Sequence, residues 1–107
     1  MRTLILPLTL LSLACSFSAV TMAAEHEVGQ KDKQFTKKSI SVKVGDKVNF
    51  VNNDEIFHNV FSLSDAKLFD LGSYPKGDSR SVTFDQKGVV EVECAIHPDM
   101  KMTVNVE

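Results

Sequence analysis

Cys94, His97 and Met100 fall within one seven-residue stretch, Cys94-Ala95-Ile96-His97-Pro98-Asp99-Met100, and a second imidazole, His58, lies 36 residues upstream. One thiolate, two imidazoles and a thioether form the donor set of a trigonal His₂Cys copper site with a weak axial methionine, the type 1 or blue-copper arrangement. Soft sulfur favours Cu(I), imidazole also suits Cu(II), and a held compromise geometry lets the metal change oxidation state with little movement. Each residue alone has a plainer explanation. A lone Cys is commonly a buried small hydrophobe, His58 alone reads as a satisfied strand-end histidine, and His97 alone reads as a solvated loop residue. Their joint occurrence, with Met100 at loop spacing, favours one metal ion.

The elements around these residues aim them at a common point. On the run before the loop, Val90, Val92 and Cys94 share one face of a strand and Glu91 and Glu93 the other, so the alternation turns the sulfur inward. Pro98 restricts the loop that must bring His97 and Met100 back toward it. Met102, Val104 and Val106 alternate with Thr103, Asn105 and Glu107, which makes Met102 the first core residue of a closing strand and leaves Met100 in the loop. Met100 is therefore the expected axial ligand and Met102 the alternative.

Elsewhere apolar residues recur with period two between closely spaced turn residues, as in Ile40-Ser41-Val42-Lys43-Val44 before Gly45-Asp46. Extended runs are expected at 40–44, 48–50, 56–62, 81–84, 89–94 and 103–107. Asn52-Asn53-Asp54 is read as a break, 64–67 as one helical turn and 72–78 as a loop. Seven to eight short strands with turn signals at this spacing predict an all-β Greek-key sandwich. Phe50, Phe57, Phe61, Phe69 and Phe84 are assigned to the core, with Phe57 shielding the copper side. Lys31, Lys33, Lys37 and Lys38 read as a solvated edge that discourages strand-to-strand aggregation.

The first 23 residues differ in composition from the rest. Arg2 supplies a positive n-region, an uncharged apolar run follows from Leu4 to about Ala19, and Thr21 and Ala23 occupy the small-residue positions of a cleavable secretory signal. A cut after Ala23, removing residues 1–23, is preferred to one after Ala24, which would place Met22 and Ala24 at those positions. Residues 24–107, 84 in all, form one domain, periplasmic, monomeric and with no membrane span after cleavage. Losing Arg2 from the 12 basic residues leaves 11 against 14 acidic ones, a net charge of −3, which gives no footprint for nucleic acid. Of two cysteines only Cys94 then remains, so no internal disulfide can form and a lone thiol in an oxidising compartment needs burial or a metal bond to persist. Cutting after Ala23 also leaves Ala24-Glu25-His26, a free amine with histidine third that could wrap Cu(II) in nitrogen donors. A frayed polar terminus is the plainer reading there.

The His58-Asn59-Val60 segment and the Cys94-x-x-His97-Pro98-x-Met100 loop resemble those of the cupredoxins, most closely the amicyanin, plastocyanin and pseudoazurin group. The resemblance implies an eight-stranded sandwich, a copper reached through an exposed edge of the C-terminal histidine, and single-electron exchange with periplasmic redox proteins such as a c-type cytochrome or a dehydrogenase. Carried over by position, it makes His58, Cys94, His97 and Met100 ligands. It also has Asn59 hydrogen-bonding across to the Cys94 loop to steady it. Two features depart from the pattern. Asp99 stands where an apolar residue is common near the electron-transfer face, and Met102 lies at the Cys-to-Met spacing of plastocyanin-like relatives. Three rivals are weaker. A copper-delivery protein on the same fold would lean on clustered Met or paired Cys. A thiol enzyme would need an orienting acid and an oxyanion loop beside Cys94. Zinc would want a better closed tetrahedral set. No enzymatic activity is expected.

Overall fold

The computed structural model describes residues 22–107 together with residues 2–5, 7, 9 and 12 of the preceding segment, so the expected leader, including Cys15, lies almost wholly outside the described residues. The described residues contain nine strands and no helix. They are β1 Glu25–Lys31, β2 Gln34–Phe35, β3 Ser39–Val42, β4 Lys47–Asn52, β5 His58–Ser64, β6 Lys67–Tyr74, β7 Ser79–Thr83, β8 Gly88–Cys94 and β9 Lys101–Val106. One sheet has the order β2-β1-β4-β7 and the other β3-β9-β8-β5-β6. Both are mixed, because β1 runs parallel to β4 and β3 parallel to β9.

The alternation expected from sequence is what packs the two sheets together. Val48 and Phe50 on β4, Val90 and Val92 on β8 and Val104 and Val106 on β9 point into one core, while their neighbours face outward. Phe35, Phe50, Phe69 and Phe84 run through that core as successive aromatic pairs, with ring centroids 6.4, 6.1 and 6.2 Å apart. Phe61 and Phe57 are not core residues as expected. Phe61 is half-buried on β5, and Phe57 is 55% exposed.

Three stretches differ from the sequence reading. Residues 25–31 form a full strand, because a parallel register from Glu25↔Lys47 to Gln30↔Asn52 supplies the pairing that their polar sequence does not advertise. The expected helical turn at 64–67 is the tip of a hairpin, with Ser64 and Lys67 as the last cross-strand pair of β5 and β6. Leu71, Gly72, Ser73 and Tyr74, placed partly in a loop by the glycine and proline nearby, continue β6 as far as Tyr74 opposite His58. The β1–β2 hairpin turns at Asp32 and Lys33, both at positive φ, 53° and 60°. Two such residues in succession match the twist of the flanking strands in a two-residue connection. The lysine-rich segment flanks the two-residue edge strand β2, in keeping with a charged, aggregation-resistant edge.

Candidate metal centre

The site forms where β5 begins and β8 ends. Val60 of β5 pairs with Cys94 of β8, which fixes the distance between the two strands, and His58 shares the inward face of β5 with Val60. His58 is fully buried and Cys94 is 2% exposed. The loop after β8 folds back on itself through two main-chain bonds: Met100 N–H donates to His97 O at 2.9 Å, and Cys94 N–H donates to Met100 O at 3.2 Å. The second bond holds Met100, itself 1% exposed, beside Cys94.

His58 Nδ1 lies 3.6 Å and His97 Nδ1 3.8 Å from Cys94 Sγ. A ligand atom from each of the three residues lies within 4.8 Å of the other two, and the imidazole centroids are 5.1 Å apart at an interplanar angle of 58°. Metal bonds of roughly 2.0–2.3 Å arranged trigonally would separate their donors by about 3.5–4 Å. The triad therefore fits a single ion at its centre. Met102 occupies the core face of β9 opposite Val92, as the strand alternation anticipated, while Met100 stands in the loop next to the triad.

Each imidazole presents Nδ1 to the sulfur, which leaves Nε2 for other work. His58 Nε2 lies 2.9 Å from Asp54 Oδ2, the same oxygen that accepts the Lys33 N–H at 2.9 Å. That N–H is delivered by the positive-φ turn between β1 and β2. The bond from the Lys33 N–H, followed by that from His58, holds the Asp54 carboxyl down at about 2. A carboxylate on the far nitrogen of a histidine fixes the ring's orientation and tautomer and makes its other nitrogen a better donor. Asp54 is steadied in turn: its N–H donates to Asn52 Oδ1 at 2.8 Å, and Asn52 Nδ2 donates to Tyr74 O and Ile56 O, each at 2.9 Å.

Sequence reasoning missed the role of Asp54 and placed Tyr74 in a loop, whereas it closes strand β6. Asp54 stands four residues before His58 in a stretch read only as a break, and an acid near a candidate ligand was the available signal. Tyr74 is fully buried against β5, and its hydroxyl donates to Phe50 O at 3.0 Å while accepting from Gln30 Nε2 at 2.7 Å. Burial raises its phenol above the usual range. Asn59 does tie β5 to the copper loop, but through its backbone: Ala95 N–H donates to Asn59 O at 3.0 Å. Its side-chain Oδ1 is buried without a partner among the described residues, so the main chain carries the tie between β5 and the loop.

His97 alone of the triad reaches the surface. Its edge opens into a shallow groove with Phe57 and Ile96, which are 55% and 52% exposed, flanked by Lys33 and Glu55. Phe57 thus flanks the outer edge of the site. Asp99 lies exposed on the other side of His97, near Asp32 and Lys33. His26 is far along the chain from the triad and does not join it. Its Nε2 lies 2.9 Å from Asp46 Oδ2, and Ala24 N donates to Asp46 Oδ1 at 2.9 Å. Closing a nitrogen chelate on Ala24, Glu25 and His26 would require Asp46 to release both groups.

The family model for copper binding proteins of the plastocyanin/azurin family matches residues 22–107. The chain belongs to that family. The cupredoxin is also 31% identical over 92 residues to the methylamine utilization protein MauL of Methylorubrum extorquens, an alignment that takes in 85% of this chain and 81% of MauL. Among solved structures it is similar to a methionine-to-alanine mutant of amicyanin in the Cu(I) state, with a TM-score of 0.72, 26% identity and coverage of 78% of this chain and 82% of amicyanin. A purple cupredoxin from Nitrosopumilus maritimus shares the fold, with a TM-score of 0.69, 21% identity and coverage of 77% of this chain and 99% of that one. The family, the copper-containing neighbour and the triad's spacing agree on one type 1 copper ion as the cofactor.

Proposed function

We propose that the protein is a periplasmic carrier that shuttles single electrons between redox partners, with His58, Cys94, His97 and Met100 as the copper ligands. Copper bound there supplies a one-electron Cu(I)/Cu(II) couple. The observation that carries the reading is that three soft or borderline donors are brought to trigonal spacing by strand pairing and a hydrogen-bonded loop, before any ion is considered. A site built this way resists the geometric change that either oxidation state would otherwise favour, which keeps reorganisation small.

The chain's own residues divide the remaining work. Asp54 orients His58, the Met100 carbonyl and the Asn59 carbonyl hold the loop against β5, and Val60, Val92 and Met102 exclude water from the inner side. The exposed edge of His97, set among Phe57 and Ile96, is the contact point for a partner such as a c-type cytochrome or a dehydrogenase. The protein meets that partner as a monomer. A nucleophilic role for Cys94 is disfavoured because its sulfur is buried and lies 3.6 and 3.8 Å from the two imidazole nitrogens. Export rests on the leader-like composition of the first 23 residues.

Voltammetry of the copper-loaded protein in the presence of an excess of a Cu(I) chelator separates a carrier from a copper-delivery protein. A carrier gives a reversible one-electron wave whose amplitude persists over repeated cycles. Loss of the wave as the chelator takes the copper in the reduced state would favour delivery.

A further inference from the structure

The β3–β4 turn holds a buried carboxylate whose partners serve no purpose at the copper site. Asp46 is only 5% exposed, and it lies at the start of β4, whereas the loop that supplies Asp54 follows the end of that strand. Its two oxygens accept three contacts, each of 2.9 Å: Ala24 N on Oδ1, and Lys43 N–H and His26 Nε2 on Oδ2. Together these contacts, with His26 first, hold the carboxyl at about 2, so the group is an anion at every physiological pH.

Ala24 is also held from its other side, since Lys47 N–H donates to Ala24 O at 3.0 Å. The parallel pairing of β1 with β4 begins at the next residue, Glu25↔Lys47. Met22 and Ala23, by contrast, belong to no strand and are exposed. Among the described residues Ala24 is therefore the first that hydrogen bonds tie to the sandwich, and the nitrogen it presents to Asp46 belongs to the peptide bond after Ala23. Thr21 and Ala23 stand at the small-residue positions that a leader peptidase reads for cleavage at that bond.

We propose that Asp46 is the receptor for the mature amino terminus, and that removal of the leader between Ala23 and Ala24 creates the α-ammonium group it binds. Hydrolysis of the Ala23–Ala24 peptide bond adds one water, giving a carboxylate on the departing leader and an ammonium on Ala24. In the precursor the same nitrogen is a neutral amide with one hydrogen. After cleavage it is a cation with three, placed 2.9 Å from a fixed anion, and a charge-assisted bond replaces an ordinary one. His26 completes the receptor by occupying the second oxygen, so the carboxylate cannot turn away. Processing thus tightens the edge at which β1 joins the sheet. A cut one residue later would leave Glu25 first and Asp46 without this partner.

The test begins with amino-terminal sequencing of the exported protein, which should start at Ala24; a start at Glu25 overturns the proposal. Four purified, copper-free chains are then melted at neutral pH: starting at Ala24 or retaining Ala23, each with and without Asp46→Asn. Retaining Ala23 should lower Tm by about 3–6 °C when Asp46 is present and by less than about 1 °C in the Asp46→Asn background. Equal shifts in both backgrounds, or none in either, overturn the proposal. Should Asp46→Asn fail to fold, the α-amine of the wild-type chain starting at Ala24 is acetylated in the folded and urea-unfolded states. Reaction about tenfold slower when folded, as a rise of one unit in the amine's pKa requires, supports the receptor, and equal rates contradict it.

Discussion

At the scale of single residues, the copper chemistry rests on which atom each side chain turns to the centre. Cys94 is delivered by strand alternation and His97 by a loop one turn long, and both were legible because their positions follow from residue type and spacing. Asp54 was not, because an acid four residues before a histidine in an Asn-Asn-Asp break is too weak a local signal to single it out; the contact forms only once the β1–β2 turn fixes the carboxylate from outside. Asp54→Ala should therefore weaken copper binding by about 10–100-fold, measured by competition with a chelator, while leaving the β signature of the circular dichroism intact. The two methionines separate equally cleanly. Met100→Leu should raise the reduction potential, since losing a weak sulfur donor disfavours Cu(II), and should keep the intense thiolate band. Met102→Leu, on the core face of β9, should leave the potential near its original value; an exchange of these two outcomes would make Met102 the axial ligand.

At the scale of elements, the site depends on strands that hold their ends still. β8 carries Cys94 at its last position and starts at Gly88, whose φ of 148° is open chiefly to glycine and where an added Cβ would come within 2.7 Å of the Ala66 Cβ. Gly88→Ala should cost about 1–3 kcal/mol, seen as a lower urea midpoint with an unchanged slope, because both the backbone and the β5–β6 hairpin tip must shift. The strands with clean alternation, β4, β8 and β9, were readable from period two alone. β1 and β6 were not, since β1 carries Glu25, Glu27, Gln30 and Lys31, and β6 is interrupted by Asp70 and Gly72. Their extended form comes from neighbours, β4 for the one and β5 for the other, and such long-range pairing leaves no local trace.

At the scale of the whole molecule, two carboxylates brace the sandwich from either end of β4, Asp46 against His26 and Asp54 against His58. Both are held down at about 2, below their unfolded value, so the stability they contribute is complete above about pH 4 and is lost as pH falls through that window toward 2. Urea melts of the copper-free protein should show a midpoint that declines through this range, and a decline confined to higher pH would point to other groups. The class of the fold and the identity of the copper loop were both written in the chain, while the braces that stiffen it emerged only from its assembled geometry. The measurement that bears on the whole most directly is a titration of the reduced, metal-free protein with Cu(II), followed by its visible spectrum. An intense charge-transfer band should grow to a sharp end point at one equivalent, vanish on adding ascorbate, return on reoxidation, and be missing from a folded Cys94→Ser variant. A titration that gives no such band in the wild type, or the same band in Cys94→Ser, would contradict a copper centre built on that sulfur.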